Sequence, residues 1–547
     1  MLPRLISAAM NASGLRGLRG SSRSCGAVQS KIQNPKSKIR PRQGLRCAVA
    51  ALAGLATLGC RPEYRPWWLG GAEGKDSAAS SVFSPLGAAV FTEVLIQERT
   101  FTAGRVVTTV THRTLDMARD PVLLDFNGDG KVDPVVGYAQ NDIGIIQILL
   151  SYGTAGSVQY ASLTLDGGEN MWELFSDVAV GDIDGDGNLD LIAATADGVV
   201  YLHHPTDPTR THVLNEWGAA SGAQELLSGT TDWVSEEEMD TLLAQALGPG
   251  GDASNYVVTV VQGYTSVEIA DFNNDGFNDV AASRQLHITL TPKPEMPLPP
   301  LEIVGGALQL LLNPRRATTG ENWTAVLIGQ HERHLTLDRP GARDLRAYDV
   351  DGDGDLDLIS TATLDDNVQV VWYENPAGPG PIDPGLTWLP HRIGSVRGAY
   401  TIDVADVTGD GRADVIATSP EQMQLVLFVK PASTVDRGYD WFTTPIVTFE
   451  SYEPRSVKAV DVDNDGTLEL VVGGTAGALR YFEPTADPTA AWVGREILDF
   501  DPPGTLGLLG YGDIDGDGDV DLVTVLASDS EDTPADRVSW VRNELLP

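Results

Sequence analysis

The sequence predicts an all-β protein: a seven-bladed β-propeller of four-stranded antiparallel blades, with an N-terminal strand closing the last blade. Three observations carry this. One nine-residue acidic loop recurs seven times, each copy runs into a short β-branched strand, and the copies are 57, 89, 78, 57, 55 and 52 residues apart. A four-stranded unit cannot bury both faces alone, so neighbouring copies must stack, and seven stacked radially make a propeller. The short intervals set the blade size and the two long ones mark insertions.

The first loop, DFNGDGKVD, sets oxygen-bearing side chains at Asp125, Asn127, Asp129 and Asp133, with Lys131 seventh. The second has Asp182, Asp184, Asp186 and Asp190 with Asn188, and the third has Asp271, Asn273, Asp275 and Asp279 with Phe277. The fourth, DVDGDGDLD, has Asp349, Asp351, Asp353 and Asp357 with Asp355; the fifth has Asp406, Thr408, Asp410 and Asp414 with Arg412. The sixth has Asp461, Asp463, Asp465 and Glu469 with Thr467, and the seventh has Asp513, Asp515, Asp517 and Asp521 with Asp519.

So many acceptors within a few ångströms repel one another unless a divalent ion sits between them. Glycine at position 6 lets the chain turn around the ion, and position 7 supplies a backbone carbonyl. That is the ligand list of a hard cation, and Ca²⁺, up to seven per chain, is the expected cofactor. An EF-hand would need a bidentate Glu at position 12 and a following helix. Position 12 here is Val136, Ala193, Ala282, Ser360, Ala417, Val472 and Thr524, so that motif is excluded. The remaining alternative is a set of polar Asp/Gly turns that need no metal.

The strand after each loop (DLIAATA, DLISTAT, ELVVGGT) is followed by a second (GVVYLHHP, VQVVWYENP, ALRYFEP). In several repeats a Trp-led segment then appears (NWTAVLIG, LTWLPHRIG, YDWFTTPIV, AAWVGREIL), and a strand such as YTIDVAD leads into the next loop. The last repeat ends at WVRN with only ELLP to follow, so it lacks an outer strand. The alternating segment FTEVLIQERTF is expected to supply it and so remove an exposed edge.

These D-x-D-x-D-G-x-x-D loops, with their DLVV-type and WYEN-type strands, resemble the FG-GAP/VCBS repeats from about Phe83 to the C-terminus. The resemblance implies an integrin-α-like seven-bladed propeller with calcium loops. It bears weakly on function, since that family serves adhesion, carbohydrate binding and occasionally catalysis. Literal FG and GAP tripeptides are not in register, which leans toward the VCBS side.

Residues 1–60 hold ten Lys/Arg and no acid, in a chain of 38 basic and 76 acidic residues with net charge −38. The basic flank KSKIRPRQGLR, the apolar run CAVAALAGLATLG and then Cys60 match an export signal too short to span a membrane comfortably. The segment resembles a bacterial lipoprotein signal with Cys60 as the lipid-bearing residue, although Thr57 and Leu58 depart from that pattern. Export to the cell envelope or outer surface is the expectation, with any membrane attachment made through Cys60. Residues 61–82, rich in Pro, Gly, Ser and Ala, read as a flexible tether, and 83–547 as the propeller. An insertion at about 215–256 contains VSEEEMDTLLAQALG, an amphipathic helix with Ser235 and Glu238 as a capping box. The Pro-rich KPEMPLPPLE at 293–302 reads as a surface loop.

No phosphate loop, nucleophile elbow or zinc helix occurs. HERH at 331–334 has the wrong spacing for zinc, and His203 and His204 read as surface or strand-edge residues. The acidic balance disfavours nucleic acid. If every acidic loop lies at one end of the ring, the opposite end offers Trp172, Tyr264, Arg343, Arg397, Tyr400 and Arg455 as candidate ligand-binding residues. The leading expectation is a non-catalytic, calcium-stabilised surface or secreted protein that recognises an unknown protein or glycan. The alternatives are an exported polysaccharide lyase or hydrolase acting at that opposite face, and a structural part of an envelope assembly.

Overall fold

The computed structural model describes residues 91–99, 104–110 and 125–127. Between 131 and 544 it describes all but 141–142, 155–156, 166–176, 196–197, 213–216, 218–226, 228–235, 295, 297, 316–321, 329–341, 363–369, 377–387, 433–440, 501–503, 507–509, 516 and 529–535. The expected signal and Cys60, the tether, Asp129, Trp172, Ser235 and the HERH stretch lie outside the described residues.

Among the described residues every strand pairing is antiparallel, and the strands form seven sheets. Sheet I comprises Gly104–Val110, Val135–Gln140, Ile143–Thr154 and Ser157–Leu165, and sheet II comprises Asp177–Gly181, Asp190–Ala194 and Val199–Leu202. Sheet III comprises Tyr256–Ala270, Asp279–Pro292, Leu301–Leu312 and Thr324–Ile328; sheet IV comprises Ala342–Tyr348, Asp357–Ala362, Val370–Glu374 and Leu389–Gly394. Sheet V comprises Ile402–Ala405, Asp414–Ser419, Gln424–Val429 and Phe442–Thr448; sheet VI comprises Pro454–Val460, Glu469–Gly474, Ala478–Glu483 and Val493–Asp499.

Sheet VII differs. Its first strand is split into Gly504–Leu506 and Gly510–Gly512, both paired with Asp521–Ser528; Asp536–Asn543 comes next, and Phe91–Arg99 lies beyond it. The register runs from Phe91 opposite Asn543 to Arg99 opposite Asp536, with a bulge between Leu95 and Gln97.

Sheets pack in chain order, I on II through VI on VII, and Gly104–Val110 of sheet I also lies against Asp521–Ser528 of sheet VII. The core is therefore a series of seams. Phe126, Ile146, Leu191 and Trp217 fill the seam between I and II, and Ile192, Tyr201, Ile269 and Leu311 that between II and III. Ile416, Leu427, Val457 and Leu470 join V to VI. Strands such as Asp414–Ser419 and Glu469–Gly474 are buried along their whole length because both of their faces meet a neighbouring sheet.

The fourth strands of sheets III to VI are each introduced by a buried tryptophan: Trp323, Trp388, Trp441 and Trp492. Phe272 of the third loop meets Trp388 of the next sheet at 6.3 Å, as Phe126 of the first loop meets Trp217. Offset aromatic contacts of this kind add to simple area burial.

Acids on the first strands tie successive sheets together. Asp177 Oδ2 accepts from Val267 N at 3.1 Å and Ser266 Oγ at 2.8 Å, Asp344 Oδ2 from Ile402 N at 2.8 Å, and Asp403 Oδ2 from Ala459 N at 2.8 Å.

Sheet III carries an excursion. Its first three strands are 15, 14 and 12 residues long and run past the others as an extended ribbon, the second strand ending at Pro292 and the third beginning at Leu301. The helix Glu236–Leu247 covers one face, where Leu242, Met239, Leu243 and Leu247 pack on Tyr256, Leu286, Ile288 and Leu290.

Candidate functional site

All seven acidic loops join the first strand of a sheet to its second, so they occupy equivalent corners. Within each described loop the carboxylates organise the turn. Position 1 accepts from the Gly N–H at position 6: Gly187 to Asp182 at 2.9 Å, Gly354 to Asp349 at 3.1 Å, Gly466 to Asp461 at 2.8 Å. Position 5 accepts from the N–H of position 7, as Asn188 to Asp186 at 2.8 Å and Thr467 to Asp465 at 2.7 Å. The glycines at position 6 sit at φ of 84 to 97°, where a side chain would strain the backbone.

The ninth residue has a second task that its place in the motif does not announce. In the second, fourth and seventh loops one of its oxygens accepts the N–H of loop position 2, and the other accepts the N–H at the end of the sheet's third strand. Asp357 takes Val350 N at 2.9 Å and Asn375 N at 2.8 Å; Asp190 takes Ile183 N at 3.0 Å and His204 N at 2.8 Å; Asp521 takes Ile514 N at 3.0 Å and Asn543 N at 2.8 Å. In sheet VI the residue matching Asn375 is Pro484, which has no N–H, and the longer Glu469 stands ninth and holds Val462 N at 2.9 Å.

Burial pushes all seven ninth-position carboxyls above the ordinary range, against the pull of these backbone bonds. Asp133 and Asp414 rise to about 7, Asp357 and Asp521 to about 8 and Glu469 to about 9, and Asp190 and Asp279 also move upward. Burial likewise raises Asp461 to about 6, and it raises Asp182, Asp355, Asp463 and Asp515. At each of these acids the cost of desolvating the charged form outweighs the hydrogen bonds and any cation nearby, Arg542 beside Asp515 included.

Among the described residues, three carboxylates bring oxygens within 4.8 Å of one another in four loops: Asp182, Asp184 and Asp190; Asp349, Asp351 and Asp353; Asp461, Asp463 and Asp465; Asp513, Asp515 and Asp521. In loops one and three, position 3 is an amide. The buried Oδ1 atoms of Asn127 and Asn273 have no hydrogen-bond donor, and the acidic side chains of these loops are acceptors too. A cation is the species that satisfies such an oxygen, so the residues fit a hard divalent ion.

The loops are not equivalent in charge. His203 Nε2 lies 2.6 Å from Asp184 Oδ2, Arg315 Nε 2.8 Å from Asp275, and Arg542 Nε 2.8 Å from Asp515, while Arg412 pairs with Asp410. Burial alone would raise Asp184, but its bond to His203 and the backbone N–H of Asp186 outweigh it and the carboxyl falls below its usual value. Among the described residues no side-chain cation pairs with Asp461, Asp463 or Asp465.

The sequence reading placed both histidines at the surface or a strand edge. The structure corrects this for His204, which is buried, with Nε2 3.0 Å from Phe126 O of the preceding sheet's loop. It fills the place that asparagine holds elsewhere: Asn313 Nδ2 donates to Ile183 O at 2.8 Å, Asn375 to Phe272 O at 2.9 Å and Asn543 to Val462 O at 2.7 Å. Its trace in the sequence is Asn-Pro or His-Pro closing the third strand in LLLNP, YENP and HHP.

At the opposite end the expected residues separate. Tyr264 is withdrawn from that surface: it is 3% exposed, its hydroxyl donates to Gln309 Oε1 at 2.6 Å, and Arg284 lies beside its ring. It is packed there because the neighbouring seam needs a large ring beside Trp323 and Leu311. Arg343 and Arg455, from sheets IV and VI, do come together on Tyr400, whereas the Arg397 side chain, three residues before Tyr400, lies 3.5 Å from Glu421. Arg343 Nη2 donates to Tyr400 Oη at 2.8 Å, and the Arg343 and Arg455 guanidinium carbons stand 4.5 and 5.1 Å from the Tyr400 ring centroid.

Three stretches, residues 125–193, 349–417 and 461–524, match the FG-GAP-like repeat family. Each begins on the first aspartate of a loop and takes in two successive loops, so the matches include six of the seven. The chain therefore carries FG-GAP-like repeats. Its third loop, which opens the sheet that carries the excursion, falls between the matched FG-GAP stretches. Comparison with curated proteins gives no match. Among solved structures the chain is similar to one described as "Structure of Dos1 propeller", at 9% identity and a TM-score of 0.38, over 82% of this chain and 95% of that one. That likeness is too distant to argue from. No described helix is long and apolar enough to cross a membrane.

Proposed function

We propose that this protein is an exported, non-catalytic recognition domain: a closed seven-bladed propeller stabilised by calcium at its loop corners. The seven sheets are its blades. The packing of I against VII supports closure, and so does the strand Phe91–Arg99 alongside Asp536–Asn543. Residues at positions 1, 3, 5 and 9 of each loop would hold the ion. When bound, it supplies the charge that keeps these acids ionised while they fix the turn.

The observation that carries the metal reading is the pair of buried, donorless oxygens on Asn127 and Asn273. Outside the cell, where calcium is near ~10⁻³ M, a site with a dissociation constant near ~10⁻⁴ M contributes roughly 1.4 kcal/mol. Export and attachment through Cys60 rest on the basic-apolar-Cys pattern of the first 60 residues.

Calorimetric melting in calcium and in EGTA tests the reading. The expected result is a large fall in melting temperature on chelation, reduced in Asp463→Asn because the sixth loop lacks a side-chain cation to stand in. An unchanged melt would remove the metal.

A further inference from the structure

The arginine cluster at the end opposite the loops carries a narrower conclusion, which rests on the recognition reading above. We infer that Arg343 and Arg455, arranged around Tyr400, with Arg397 three residues before it in the chain, form a binding site for the carboxylates of an acidic, uronate-type oligosaccharide.

Guanidinium groups recognise carboxylates through a planar fork, with Nε–H and Nη–H each donating to one oxygen. Arg495 shows the completed fork in this molecule, holding Glu483 at 2.7 Å through Nε and 3.1 Å through Nη2. Arg455 is half complete. Its Nη2 donates to Glu453 Oε2 at 2.6 Å, while its buried Nε–H meets no acceptor. Glu453 is 45% exposed, so an incoming carboxylate can displace it at small cost and fill both arms.

Arg343 donates to the Tyr400 hydroxyl and, among the described residues, pairs with no carboxylate. Arg397 stands 3.5 Å from Glu421, and both side chains are more than half exposed. Tyr400 fixes the spacing of two like charges by offering its ring to both, which an isolated pair of arginines would avoid.

The neighbourhood selects the ligand class. The large apolar side chains that the described residues expose lie on outer strands (Leu389, Phe442, Val493), on Tyr152, and on the ribbon and its turn (Val257, Val260, Met296, Leu298). None belongs to this cluster, so among the described residues it presents guanidinium donors without exposed aliphatic surface beside them. A hydrophilic ligand with spaced carboxylates fits it. Dense polyanions are opposed by the chain's net charge of −38.

Titration calorimetry of the full chain with trigalacturonate, in fixed calcium, tests this, with galactotriose and hexaglutamate as comparators. Trigalacturonate should bind and weaken with added salt, the comparators should not bind, and Arg343→Gln and Arg455→Gln should each weaken binding at least tenfold at unchanged melting temperature. Should either variant fold poorly, Arg397→Gln, whose side chain is 57% exposed, takes its place. Absence of trigalacturonate binding, equal binding by the variants, or equal binding of galactotriose or hexaglutamate would overturn the assignment. Because the calcium-dependent melt is read separately, loss of sugar binding with that melt intact defeats this inference alone.

Discussion

The ninth carboxyl of each loop makes metal and pH two faces of one quantity. In the metal-free protein its folded value lies above the unfolded one, at about 7 for Asp133, 8 for Asp357 and 9 for Glu469, because burial favours the neutral acid. A group raised in this way contributes its full stability below the unfolded value and loses it as pH rises through the folded one. In EGTA the melting temperature should therefore fall between about pH 4 and 9. In calcium the sign reverses, since the ion selects the ionised form, so the gap between the two melts should widen with pH. A gap that stays constant across that range would show that these acids are not linked to the ion. The spacing of these residues in the chain revealed the acids but not their double duty. Their partners at the ends of the third strands are about 18 residues away, and only the sheet register brings them close.

A strand or a loop here is stable only through the next sheet, and the polar struts between sheets show how that dependence is met. Asn375 Nδ2 donates to Phe272 O of the preceding sheet and to Leu356 O of its own, both at 2.9 Å, the first buried and the second partly so. Replacing it with alanine removes the donor from the buried Phe272 carbonyl, and denaturant titration should show a loss of about 1 to 3 kcal/mol. The same change at the exposed Gln422 should cost almost nothing. Loops and strands were legible because both obey local rules: acids at alternate positions, glycine at the turn, β-branched runs after it. The struts were not, since an asparagine before proline reads equally well as an ordinary turn. His204 was the hardest to see, because a histidine does the asparagine's work. The long strands of sheet III were hidden for another reason: their apolar residues answer to the helix Glu236–Leu247, so their length reflects a local partner and not the repeat.

Across the whole molecule, the feature with the widest reach is that Phe91–Arg99 belongs to the same sheet as Asp536–Asn543. Deleting residues 83–99 leaves the Asp536–Asn543 strand with unpaired N–H and C=O groups along one side, the kind of edge through which chains associate. Size-exclusion chromatography should then show oligomers where the full chain runs as a single species; a deletion variant that elutes unchanged would mean the edge is covered by something else. The pairing also imposes an order on biosynthesis. A strand made among the first hundred residues finds its hydrogen-bonding mate only after more than four hundred others have left the ribosome, so it must stay soluble and unmatched while the middle of the chain acquires structure. The slowest event in the life of this fold should be the late meeting of its two remote segments.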